Sequence, residues 1–326
     1  MDPRSLMDAG LELTIVGSFS RVGFLLRRRL FGWAVPTAGA LDGRTVLVTG
    51  PTSGLGRAAT DELAALGARV ILLGRSQERL TAVQDALVAR HGDDRFPTVV
   101  ADMGSLRSIR AAVARILDTE PRLDVLVDNA GAILPERIDG TDGIEATFAT
   151  LVVGPFALFS GLLPLLRQTG GARVIAVTSG GMYAQRLDLD DLQSRAEPFS
   201  GTKAYARAKR AQVALVREWA RRLETSGVTV NAMHPGWADT PGLAHALPTF
   251  HRVMAPLLRT TGQGIDTLVW LAATREAGTT GGELFLDRRP RPYDRMARTR
   301  LSSADRRRLW DVVVELSGSP DPAPEG

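Results

Sequence analysis

From residue 44 onward the chain alternates two kinds of hydrophobic pattern. Short β-branched runs at residues 45–49, 69–73, 98–101, 125–128, 174–178, 228–232 and 283–286 read as strands. Between them lie longer segments whose apolar residues recur every three or four positions. Residues 54–66, 77–90, a segment from 105, residues 147–166 and residues 205–225 read as helices, and two more are expected within 241–273. Strands alternating with helices require a parallel sheet covered on both faces. Right-handed crossovers then give a doubly wound α/β sheet, a single Rossmann-like domain over residues 44–287.

Both flanks carry patterns of their own. Residues 1–43 form an N-terminal amphipathic arm. Its apolar stripe, Ile15, Phe19, Val22, Leu26, Leu30 and Trp33, has helical spacing and is flanked by Arg21, Arg27, Arg28 and Arg29. A helix of this kind over residues 12–33 can lie in a membrane interface, or pack on its own domain or a partner subunit. The pattern leaves both open. The first ten residues hold acids and no basic n-region, which argues against a secretory signal. Residues 288–326 read as a basic C-terminal tail with one helix, started by Ser302 and Asp305 and stopped by Gly318, with Pro320 and Pro322 beyond.

Residues 147–166 are free of charge and, at about twenty residues, long enough to span a bilayer. Pro155, Pro164, Ser160 and two threonines interrupt the segment, and it stands between two strands of one sheet. A core or interface helix is the better reading. Its surplus of apolar surface predicts a homodimer or homotetramer sealed through it.

Composition narrows the picture. The chain has 326 residues, 44% hydrophobic and 23% charged, the balance of a globular protein rather than a disordered one. With no cysteine there is no disulfide, thiolate metal site or cysteine nucleophile; the expectation is a reducing, cytoplasmic compartment, with membrane association left open by the arm. No metal site is expected. The net charge of +4 comes from arginine, since Lys203 and Lys209 are the only lysines. Arginines crowd residues 288–308, but no nucleic-acid-binding motif accompanies them. A solvated basic surface, and no nucleic-acid partner, is expected.

Two stretches carry chemistry. The first strand runs through Thr49 into Gly50-Pro51-Thr52-Ser53-Gly54-Leu55-Gly56 and then into a helix. Glycines there permit a tight turn and close approach to a pyrophosphate, which the helix N-terminus favours. The second strand ends at Gly74-Arg75. An acid at that tip would bind a ribose 2′-hydroxyl, whereas an arginine accommodates a 2′-phosphate. Arg75 therefore predicts NADP over NAD. The second stretch is Tyr205 and Lys209, one helical turn apart and on one face. A nearby ammonium is expected to lower the phenol's pKa from about 10, so that it can exchange a proton with a carbonyl or alcohol oxygen.

In this arrangement the chain resembles the short-chain dehydrogenase/reductase superfamily over residues 44–287. Residues 49–56 match its cofactor loop, and Asp102-Met103 the pair that meets the adenine. Asp128-Asn129-Ala130-Gly131 resembles its Asn-Asn-Ala-Gly turn, with Asp in place of the first Asn. Ser179 stands where the superfamily places the serine that hydrogen-bonds the substrate oxygen, and Tyr205 and Lys209 match its acid/base and its ribose-binding lysine. Pro235-Gly236-Trp237, with Thr240 beyond, matches the segment on the nicotinamide side. A narrower branch shares Ser179 to Met182, residues 233–241, Gln263-Gly264 and Asp287-Arg288. The resemblance implies an NADP-dependent oxidoreductase acting on a small-molecule carbonyl or alcohol.

One position departs from the pattern. Where the superfamily has an asparagine in its long fourth helix, Leu151 stands in Phe148-Ala149-Thr150-Leu151-Val152-Val153-Gly154. The resemblance implies that this asparagine holds a kinked helix and a relay water, and leucine cannot make those hydrogen bonds. A second function therefore stays open, an NADP-binding regulatory or interaction protein with little turnover. Residues 241–259 offer Leu243, Leu247, Phe250, Met254, Leu257 and Leu258, which read equally as a cover for an apolar substrate or as ordinary helix packing.

Overall fold

The computed structural model describes residues 2–92, 95–196 and 198–322. The β-branched runs become β1 (Thr45–Thr49), β2 (Arg69–Gly74), β3 (Thr98–Val100), β4 (Val125–Asp128), β5 (Arg173–Val177), β6 (Thr229–Met233) and β7 (Leu284–Leu286). All seven are parallel, in the order β3-β2-β1-β4-β5-β6-β7, and β8 (Arg289–Pro290) adds an antiparallel edge. The order reverses between β1 and β4, and at such a switch point a doubly wound sheet opens its ligand crevice.

The arm contributes α1 (Pro3–Glu12), α2 (Ile15–Phe19) and α3 (Arg21–Phe31). On one face of the sheet lie α4 (Gly54–Ala65) and α5 (Gln77–His91); on the other, α6 (Leu106–Thr119) and α7 (Ala146–Thr169). Helix α8 (Gly201–Arg222) joins the second face. Where two helices are expected after residue 241 there are three: α9 (Pro241–Ala246), α10 (Pro248–Met254) and α11 (Thr261–Ala273). Pro248 stands at the first position of α10, which separates it from α9. The tail helix, α12 (Ser303–Ser317), is bounded as its residues predict: Ser302 and Asp305 form a capping box, and Gly318 ends it in the left-handed region.

Helix α7 passes the length and composition test for a membrane span, yet 83% of its apolar window is buried inside the chain. Much of the cover comes from α12. Trp310, fully buried, meets Phe156 of α7 at 4.9 Å and Trp219 of α8 at 4.7 Å between ring centroids. The apolar surplus that the pattern assigns to a second copy is taken up by the chain's own tail. The tail thus covers part of the surface that the pattern assigns to a homodimer or homotetramer.

The arm also departs from expectation. Thr14 and Ser20 cap α2 and α3 separately, so the stripe is not one helix. Phe19 is buried, but Ile15, Val22 and Leu26 are exposed, and Arg27, read as a flanking charge, is fully buried. Arg27 bonds Asp8 at 2.7 Å, Glu12 at 2.6 Å and Asp287 at 2.7 Å. Arg259 takes the other side of Asp287 at 2.6 Å, and Arg291 bonds Asp8 at 2.9 Å. Asp287 and Arg288 form the two-residue turn between β7 and β8, both at positive φ (55° and 56°), a conformation that costs about 1–2 kcal/mol per residue. The turn thrusts the Asp287 carboxylate between the two guanidinium groups. The arginines of residues 288–295 are thus in good part an ionic seat for the arm rather than a solvated surface.

Candidate active site

The glycine loop is held by the next strand over. Thr49 Oγ1 accepts the N–H groups of Asn129 and Ala130, each at 2.9 Å, and the Asn129 amide donates to the carbonyls of Thr49 (3.0 Å) and Gly50 (3.3 Å). Gly50 and Gly54 have φ of 68° and 54°. At Gly56 a Cβ would lie 2.1 Å from the Gly50 carbonyl and 2.4 Å from Asn129 Nδ2, so only glycine fits. Leu55 packs towards Gly264 of α11. The Ser53 side chain does not cap α4, whereas Ser76 caps α5 and Ser105 caps α6. The first-turn N–H groups of α4 are left for an anion. Arg75 is exposed just past β2, with no ion pair among the described residues.

Asp102 is exposed after β3, where its carboxylate accepts the Gly104 N–H at 2.9 Å. Met103, grouped with it by sequence, is buried in the core, so its side chain is not offered to a ligand.

Ser179 lies two residues past the end of β5, and Tyr205 and Lys209 share one face of α8. The Ser179 hydroxyl is close enough to the Tyr205 phenol to favour its charged form, and the Lys209 ammonium lies 5.8 Å from the phenol ring. The expected downward tuning of the phenol is absent. Burial pushes Tyr205 up to about 12, and only the Ser179 hydroxyl opposes it. The cause is visible at Lys209: its ammonium is turned to the Val177 carbonyl (2.7 Å) and Gln212 Oε1 (3.3 Å). Burial brings Lys209 down to about 8, with Asp128 opposing.

Leu151 is fully buried in a π-turn, Ala149–Val153, within α7. The kink is therefore present without the asparagine side chain. The leucine closes on Gly131, whose Cβ, if it had one, would lie 2.6 Å from Leu151 Cδ2 and 3.9 Å from Lys209 Nζ.

Residues 235–240 form the facing wall. Thr240 caps α9 and lies against Gly54, so the glycine loop and this segment meet across the crevice. The arm intrudes here, which sequence reasoning misses. Phe19 accepts a hydrogen bond from the Trp237 N–H and packs its ring against Gly180, beside Ser179. Arg259 fixes this junction by donating to the carbonyls of Phe19 (3.0 Å), Ser20 (3.2 Å) and Ser18 (2.9 Å). Trp237 in turn meets Phe250 of α10 at 5.3 Å. Neither α9 nor α10 has a fully buried residue, so these are covering helices rather than core helices. The caps at Thr14 and Ser20 were the available signal that the arm folds back.

A family model for short chain dehydrogenases matches residues 44–249. The chain belongs to the short-chain dehydrogenase family. Dehydrogenase/reductase SDR family member 12 of Bos taurus is 37% identical over 279 residues, covering 85% of this chain and 87% of the relative. Retinol dehydrogenase 14 of Mus musculus is 33% identical over 296 residues, covering 86% and 87%. Among solved structures, a short-chain dehydrogenase from Escherichia coli CFT073 complexed with NADPH superimposes with a TM-score of 0.63 at 25% identity, over 77% of this chain and 98% of that one. This short-chain dehydrogenase is accordingly an oxidoreductase. Its uncapped α4, the close-packed Gly56 and the free Arg75 fit a phosphorylated dinucleotide.

Proposed function

We propose that the chain interconverts carbonyl and alcohol groups of apolar small molecules with NADP(H). The observation that carries the reading is the convergence of Ser179, Tyr205 and Lys209 beside the uncapped end of α4. Arg75, and the NADPH complex of the Escherichia coli relative, support NADP. NADPH, when bound, supplies the hydride. The chain's residues do the rest. Ser179 and Tyr205 hydrogen-bond the substrate oxygen. Tyr205, kept a neutral phenol by burial, gives that oxygen its proton from the hydroxyl. Lys209, with two of its three ammonium N–H groups on Val177 and Gln212, would give the third to the cofactor ribose. Residues 50, 53–56, 102, 129–131 and 235–240 would line the cofactor, and Trp237 and Phe250, with the buried Phe19 packed behind Trp237, form an apolar wall that suits an apolar substrate.

The test is NADPH oxidation against a panel of ketones and aldehydes, with Tyr205→Phe as the control. Turnover that Tyr205→Phe abolishes while NADPH binding persists is the expected result. Tight NADPH binding without turnover on any carbonyl or alcohol would move the reading to a regulatory NADP-binding protein, which the buried Leu151 favours.

The outer face of the arm supports peripheral membrane contact through residues 12–33. Of thirteen large apolar side chains exposed among the described residues, nine belong to residues 6–35, among them Leu13, Ile15, Val22 and Leu26. Arg21, Arg28 and Arg29 are exposed alongside them. Flotation with anionic liposomes, with and without residues 1–32, tests this.

A further inference from the structure

A buried ammonium must find compensating partners. Lys209 is 2% exposed and has two hydrogen-bond acceptors, the Val177 carbonyl and Gln212 Oε1. Gln212 lies three residues further along α8, on the same face. Its orientation is settled by chemistry, because an ammonium can only donate. Oε1 therefore faces Lys209, and Nε2 donates to Asp128 Oδ2 at 2.5 Å. Asp128 ends β4 and is itself buried, and its Oδ1 has no hydrogen-bond partner among the described residues. Behind it is a small cavity of about 40 Å³, lined by Leu151, Phe156 and Trp219 among others. Asp128 and Gln212 bring the only side-chain oxygens to that lining. The chain thus has a carboxylate in line with the ammonium, through one amide, in a setting otherwise apolar.

We propose that Asp128, acting through the amide of Gln212, is the positioning residue that holds Lys209 in place and in its charged form. Few other groups compete for this role. Towards Lys209, β5 presents the Val177 carbonyl, the turn after β4 presents Gly131, and α7 presents Leu151. Tyr205 is the other titratable group near Nζ, and Asp128 is the one charge that acts on Lys209. The pair is mutually supporting. Burial brings Lys209 down to about 8 against the pull of Asp128, and burial lifts Asp128 to about 6 against the pull of Lys209 and Gln212. Both groups are charged between those values, so the site is set for neutral pH. Without the carboxylate, burial acts on Lys209 alone and discharges it at lower pH.

The consequence for catalysis rests on the reading of the site given above, but the test does not. With only two lysines in the chain, lysine-specific 13C or 15N labelling gives two side-chain signals, and Lys203→Arg assigns them. In the unliganded wild type, Lys209 is expected to show its main inflection near 8 and a smaller step near 6 as Asp128 titrates. Asp128→Asn, nearly isosteric, should remove the lower step and move the main inflection down by about one unit, the low end for a nearby opposite charge. Gln212→Met cuts the bridge and should move the main inflection the same way. An identical Lys209 titration in wild type and both variants would overturn the proposal. NADPH affinity against pH separates the two readings. If the lysine signal shifts in Asp128→Asn while the alkaline limit of NADPH binding stays put, the coupling stands and the placement of Lys209 on the ribose fails.

Discussion

The backbone carbonyl of Phe19 accepts the N–H of Trp237 at 2.9 Å, and the two rings meet edge to face at 6.0 Å. An arm that precedes the nucleotide fold is thereby joined to the segment that follows β6. Phe19→Ala should cost about 3–5 kcal/mol of stability, as for other buried phenylalanines. Phe19→Leu keeps most of the packing. It should lower kcat/KM for bulky apolar carbonyls several-fold more than for small ones, with NADPH affinity unchanged. Parallel kinetics on two ketones of different size check this; equal losses on both would count against Phe19 as the support behind Trp237 in the substrate wall.

Arg75 is exposed and has no ion pair among the described residues, so its loss should not affect folding. Arg75→Ala is expected to weaken NADP binding by about 1.5–3 kcal/mol, the range for hydrogen bonds to charged groups, and to leave NAD binding nearly unchanged. Titration calorimetry with both cofactors decides it. Equal losses would reject a contact with the 2′-phosphate.

Leu151→Asn restores the residue that the family has at this place. The leucine is fully buried, and the cavity beside it offers little except Asp128 Oδ1 and Gln212 for an amide to meet. The expected result is a stability loss of about 1–3 kcal/mol, from an under-satisfied amide, and no gain in kcat. Thermal melts and initial rates measure both. A large increase in kcat would mean that the relay was limited by this residue after all.

Helix α12 can be removed by stopping the chain after residue 300. That would uncover Phe156 and Trp219, which Trp310 now covers. The truncated protein should self-associate or aggregate at micromolar concentration. The full chain should not associate through this face, and light scattering on both forms tests the difference.

What the sequence made legible was local. The glycine loop, Arg75 and the Tyr205–Lys209 pair each lie within one strand end or one helical turn, and the strand runs and the caps of α12 follow from neighbouring residues. The rest depends on distant partners. Arg27 reads as one of several surface arginines until Asp287, 260 residues away, is known to face it. Lys209 looks free to tune the phenol until Val177, Gln212 and Asp128 are seen around it. The long apolar helix reads as an interface because the tail that covers it is more than a hundred residues later, and its own pattern is amphipathic in the ordinary way.

The Arg27–Asp287 bond also orders events in time. A ribosome adds about 5–20 residues per second, so the roughly 260 residues between the two take on the order of 13–50 seconds to make. For that interval Arg27 lacks one of its three carboxylate partners, while Asp8 and Glu12 are already made. The ionic seat of the arm is complete only when the turn between β7 and β8 delivers Asp287. A nascent chain stalled before residue 287 would hold a nearly complete sheet and an arm whose Arg27 and whose anchor Arg259 both lack the Asp287 carboxylate.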